Sequence, residues 1–205
     1  MPAPEWSPDP GDLIQAFEAR RADKRAGALF SWAARAVEGL YYLDDLDASF
    51  DETRATVGDH SPDVVDLAHA RWAATSCATA IDLCAAGLGR AYCQHEGQKE
   101  LALSDFDSSL ADKNGSRRVR RSKLPGIALE WVNQVLGDHG YTTVRDARNW
   151  LTHSRIPRRF SVGGSPPERL KLMLTPEIGL RAFVALAKDV ASRHVQEFFA
   201  RLGAL

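Results

Sequence analysis

The run from Ser61 to Cys93, SPDVVDLAHARWAATSCATAIDLCAAGLGRAYC, limits what this chain can fold into more than any other feature. Ser61 can accept the first free N–H groups of a helix, and Pro62 suits the first helical position. Acids follow, where the helix dipole favours them. Ile81, Cys84, Leu88 and Tyr92 recur at helical spacing and form an apolar stripe. The many Ala, Gly and Ser residues around that stripe let a neighbouring helix approach closely. The run is therefore read as the longest helix of the chain.

The same period continues almost throughout. Asp12 is placed to cap a first helix, and a longer one runs from about Ala28 toward Val57, with Leu29, Trp32, Ala36, Leu40 and Leu43 on one side. Between about 103 and 124 the periodicity stops, and SDFDSSLADKNGSRRVRRSK reads as a long polar loop. Pro125-Gly126 introduces another helix, with Ile127, Trp131, Val135 and Leu136 inward. A turn at Gly137 to Gly140 leads into a helix from about Thr142 to Ser154. Pro157 biases Ile156 out of the helical region and ends it. RRFSVGGSPPERLKLML, residues 158–174, suggests a short β-hairpin. Pro176 then starts a last long helix burying Ile178, Phe183, Ala187, Val190, Phe198 and Leu202. The expected fold class is all-α, a bundle of about five or six helices. Residues 1–60 form an N-terminal helical segment packed on a helical domain of residues 61–205.

A composition of 44% hydrophobic and 26% charged residues is that of a soluble globular protein. No stretch approaches the roughly 20 apolar residues of a membrane span. The opening MPAPEWSPDPGD is not a secretory signal peptide. Cys77, Cys84 and Cys93 are odd in number and lack zinc spacing. Cys77 and Cys84 lie seven apart on an apolar face, as buried, reduced core residues do, which implies the cytoplasm. The net charge of -1 conceals a segregation. Residues 41 to 66 hold Asp44, Asp45, Asp47, Asp51, Glu52, Asp59, Asp63 and Asp66 against Arg54. Residues 113 to 123 hold Lys113, Arg117, Arg118, Arg120, Arg121 and Lys123 with no acid. A near-neutral sum does not exclude an anionic partner, because binding follows the local potential. Each run taken alone also reads as a solvated face.

Chemistry concentrates in RDARNWLTHSRIPRRF, residues 145 to 160. Arg-x4-His occurs twice in the chain, as Arg148 to His153 and as Arg90 to His95. On a helix, five positions put the two side chains about 140° apart. Between Arg90 and His95, the residues Ala91, Tyr92 and Cys93 lie partly on the packed face. Around Arg148 the arrangement differs. Val144, Ala147, Trp150 and Leu151 fall on one arc facing the core, while Arg145, Arg148, Asn149, Thr152 and His153 fill the opposite arc. Arg148 and His153 thus flank a polar strip with Asn149 between them, which favours this copy.

Arg-Asn-x-x-x-His near the end of an amphipathic helix, in a small all-α bundle, resembles the HEPN superfamily. Active members of that family are metal-independent ribonucleases with an Arg-φ-x(3–5)-His motif. Arg148 matches the arginine, Asn149 the polar residue preferred after it, and His153 the histidine. The resemblance spans the helix plan of roughly residues 60 to 205. Ser154, Arg155 and Ile156 stand where some groups of the family carry a tyrosine. It implies an endoribonuclease that needs neither metal nor cofactor. It also implies a homodimer that brings two motifs into one cleft, in a toxin or defence role and with an antitoxin or inhibitor protein as a further partner. The alternative is a non-catalytic module of the same type that binds RNA, a nucleotide or a protein partner.

The residue types suit that chemistry. RNA carries its own nucleophile, the 2′-OH, so a protein need only move protons and stabilise a crowded, doubly charged phosphorane. A histidine near neutral pKa transfers protons, worth about 10²–10⁴ in rate. A guanidinium holds two phosphate oxygens at once, worth roughly 10²–10³ more. His153 and Arg148 take these roles. Asn149 orients the imidazole or contacts substrate, and Arg145 and Thr152 extend the strip. Arg155, Arg158, Arg159, Arg117, Arg118, Arg120 and Arg121 are the expected backbone-phosphate contacts, with plain surface charge as the competing reading. Other residues have simpler explanations. His69, in DLAH, lacks the mates of a di-metal bundle site. His194 lies beside apolar positions and reads as a packed histidine. The tryptophans are scattered over different helices, as core residues are.

Overall fold

The structure, a computed structural model, describes residues 23–50, 52, 62–93, 100–111, 115–153 and 180–202, with 62–67, 153 and 180 described in the backbone alone. Asp23 caps the first helix, α1 (Lys24–Ala48), by accepting the Arg25 N–H at 2.8 Å. The central helix α2 (Pro62–Tyr92) is followed by a 3₁₀ turn (Leu103–Phe106) and by α3 (Ser116–Lys123), α4 (Gly126–Gly137), α5 (His139–His153) and α6 (Leu180–Leu202). No strand occurs among the described residues. The all-helical reading is therefore borne out, while the hairpin expected at 158–174 lies outside the described residues, as does the helix after Asp12.

α2 is the axis of the bundle. Along it Ala70, Ala73, Ala74, Cys77, Ala80, Ile81, Cys84, Ala85, Leu88 and Ala91 are buried, on more than one face, because α1, α5 and α6 all pack on it. The small residues of α2 lie against a neighbouring helix, as their pattern suggested. A Cβ on Gly39 would stand 3.2 Å from the Ala80 Cβ, and one on Gly87 would stand 3.1 Å from the Trp32 Cβ, so the glycines set how closely the two helices approach. Leu29, Ala33, Ala36, Leu40 and Leu43 of α1 join one continuous core with Phe183, Ala187, Val190 and Phe198 of α6. At that junction the acidic end of α1 is neutralised. Lys188 lies 2.6 Å from Asp44 and 3.3 Å from Asp47, and Arg181 also pairs with Asp47.

Three boundaries depart from the sequence reading. α1 begins at Lys24, earlier than Ala28, and ends at Ala48 with the Ser49 N–H closing onto the Asp45 carbonyl, while residues 53–57 of the expected helix lie outside the described residues. α5 begins at His139 rather than Thr142, because Asp138 accepts the N–H of Gly140 at 2.6 Å and of Tyr141 at 3.3 Å. The expected loop at 103–124 contains the 3₁₀ turn and α3. α3 has no buried residue, so it leaves no apolar period to read. Its arginines hold it in place. Arg117 donates to the carbonyls of Ser104 and Ala111, and Arg121 to the Phe106 carbonyl and Asn133 Oδ1. Arg120 pairs with Asp105 at 2.8 Å.

The last helix is anchored by a buried polar cluster. His194 is fully buried, and its Nε2 lies 2.7 Å from Asp138 Oδ2, which Arg193 also meets at 2.8 Å. The His194 carbonyl accepts the Trp131 indole N–H at 2.9 Å. Burial opposes ionisation of Asp138. The hydrogen bond from His194, the Tyr141 N–H, Arg193 and the Gly140 N–H outweigh it, and hold the carboxyl below its ordinary range.

Candidate functional site

α5 carries Arg148, Asn149 and Thr152 on the side that its amphipathic spacing requires. Val144, Ala147 and Leu151 are buried against α2 and α6, and Trp150 is partly buried beside them. Arg148, Asn149 and Thr152 turn the other way, onto an open cavity of about 470 Å³ whose opposite wall is Arg71 and Thr75 of α2. The cavity thus sits where α5 crosses the central helix. The His153 backbone closes α5, and its side chain lies outside the described residues, as do Arg155, Arg158 and Arg159.

Arg148 is partly exposed. Its Nη1 lies 3.8 Å from Asp82 Oδ2, too far for a hydrogen bond, so the pair is a charge contact, and the guanidinium donates no hydrogen bond among the described residues. Asp82 is held in turn by the Leu103 N–H, which donates to its Oδ1 at 2.9 Å. Burial pushes the Asp82 carboxyl above its ordinary range, the Leu103 N–H and Arg148 pull it down, and Asp105 adds to the rise. Arg145 belongs to a different arrangement. It reaches toward Asp107 at 3.8 Å and Asp146 at 3.5 Å, with its guanidinium over the Tyr141 ring, and it does not line the cavity.

Among the arginines of α3, three have their donors engaged on the 3₁₀ turn and its flanks, as described above, and Arg118 is exposed. α3 is thereby tied to residues 104–111 on the far side of Leu103, which touches Asp82. The other Arg-x4-His copy lies apart. Arg90 lines a separate cavity of about 340 Å³ with Trp32, Cys93, Glu100 and Lys123, and His95 lies outside the described residues. His69 is buried and packs edge-on against Phe50 and Trp72. Trp72 departs from the core assignment of the tryptophans, being 59% exposed.

Sequence reasoning missed Arg71, Thr75 and Asp82. Each had a weak signal. Arg71 and Thr75 stand four apart, one helical turn, in an otherwise apolar run. Asp82 is the carboxylate inside ATAIDLCAA, where a charge needs a partner. Among the described residues no group of three or more His, Cys, Asp or Glu side chains is placed to hold a metal ion, and no helix is long and apolar enough to cross a membrane. Comparison with known proteins finds no family model that matches the chain, no curated protein similar in sequence and no solved structure similar in fold.

Proposed function

We propose that this protein is a metal-independent endoribonuclease of the HEPN type, cleaving single-stranded RNA with Arg148 and His153 in a cleft between two copies of the chain. The observation that supports it is the position of Arg148, on the wall of an open cavity, with no hydrogen bond from its guanidinium among the described residues and with Asn149 and Thr152 beside it. In the reaction the RNA 2′-OH attacks the adjacent phosphorus and gives its proton to a neutral His153. The bond from phosphorus to the 5′-oxygen breaks. That oxygen takes a proton from the protonated His153 of the second copy, leaving a 2′,3′-cyclic phosphate and a 5′-OH. Arg148 neutralises the charge that builds on the non-bridging oxygens. A toxin or defence role, an inhibitor protein and a cytoplasmic site of action belong to the same reading.

The test is cleavage of single-stranded RNA in EDTA by the wild type, Arg148→Ala and His153→Ala. Each variant is expected to lose roughly 10²-fold or more in rate while keeping its fold and oligomeric state. Products ending in 2′,3′-cyclic phosphate identify the 2′-OH as nucleophile. Undiminished cleavage by either variant would overturn the assignment. Binding of RNA by the wild type without cleavage would favour the non-catalytic module instead.

A further inference from the structure

The cavity beside Arg148 has a second guanidinium whose situation in the fold is not explained by structure alone. Arg71 of α2 donates from Nη2 to the Leu151 carbonyl at 2.8 Å. α5 is described as far as His153, so that carbonyl is in its last described turn and has no intrahelical donor among the described residues. Capping it needs one N–H. Of the remaining donors of Arg71, Nε is buried without a partner, and Nη1 has no acceptor among the described residues. No carboxylate pairs with Arg71 among the described residues either. A partly buried cation without a counter-charge is costly, and such a group facing a cleft is a place where an anion would be stabilised. The lining agrees. Among the described residues that line it, Arg71 and Arg148 are the two cations, Thr75, Thr152 and Asn149 add neutral donors, and none is an acid.

We infer that Arg71 is a second phosphate-binding group of this cavity, so that Arg71 and Arg148 together grip the backbone of one RNA strand. The two arginines are not equivalent. Asp82 tempers the charge of Arg148, whereas that of Arg71 is uncompensated among the described residues, so Arg71 contributes more to holding the strand and Arg148 is left for the phosphate that reacts. At about 470 Å³ the cavity is within the range of small-ligand sites. This inference rests on the nuclease reading for the choice of RNA as the anion.

The experiment is fluorescence anisotropy of a labelled 2′-O-methyl RNA, which lacks the nucleophile and cannot be cleaved, titrated with wild type, Arg71→Gln and Arg71→Lys from 50 to 200 mM salt. Arg71→Gln is expected to weaken binding about tenfold and to lower the slope of log affinity against log salt by about 0.7, the value of one single-strand phosphate contact. Arg71→Lys keeps a charge and one donor for the Leu151 carbonyl. It is expected to keep the slope while losing several-fold in affinity, because an ammonium cannot bind two oxygens in parallel. If Arg71→Gln lowers the melting temperature and leaves affinity and slope at wild-type values, Arg71 is a helix cap only and the inference fails. The two readings separate cleanly. Arg71-dependent binding in a protein that cleaves nothing would retain this inference and end the nuclease reading. Cleavage with an unchanged KM in Arg71→Gln would do the reverse.

Discussion

Asp138→Ala tests the part of the fold that positions α5. Two losses follow from the substitution. The N–H groups of Gly140 and Tyr141 lose the carboxylate that caps them, which costs about 1 kcal/mol. His194, fully buried, loses the oxygen 2.7 Å from its Nε2, and an unsatisfied buried polar group costs about 1–3 kcal/mol. Together they come to about 3 kcal/mol, or roughly 6–12 °C in melting temperature for a chain of this size. The Arg193 contact is on the surface side and adds little. Calorimetry at pH 7 measures the shift. The sign of its pH dependence follows from the carboxyl being held below its ordinary range. Such a group stabilises the fold above its unfolded value of about 3.9, and that stability is lost as pH falls through the lower folded value. The gap between wild type and variant is therefore expected at neutral pH and to close only below about pH 4. A shift under about 2 °C, or a gap that closes near pH 6, would refute the reasoning.

Three further outcomes can be checked with modest effort. Asp82 is held above its ordinary range by burial, so its ionised form works against the fold, and the stability of the wild type relative to Asp82→Asn should rise as pH falls through that raised value. Asp82→Asn keeps an acceptor for the Leu103 N–H and should leave stability at pH 7 within about 1 kcal/mol of wild type while tightening RNA binding by unscreening Arg148; a loss above about 2 kcal/mol by urea titration would contradict this. The three cysteines are free and buried, and burial raises all three thiols, Cys93 being the least enclosed and offset by Lys123 and Arg120. Thiol labelling of the native protein should therefore reach Cys93 before Cys77 and Cys84, and equal rates by mass spectrometry would be inconsistent with the packing.

The sequence by itself determined the helical class and most of the core. Apolar residues at a 3.6-residue period are legible because burial of one helical face is a local pattern, and Val144, Ala147 and Leu151 were placed inward on that ground alone. It also put Arg148, Asn149 and Thr152 on one polar face, since a helix fixes which residues share a side. α3 escaped notice because its stability comes from arginines reaching carbonyls over ten positions away in the chain, and no local period records that. The same limit applies to the site. Periodicity could show that Arg148 faces outward, but only the packing of α5 on α2 brought Arg71, Thr75 and Asp82 to its side, because contacts between helices depend on how their faces mesh and not on the order of residues within either.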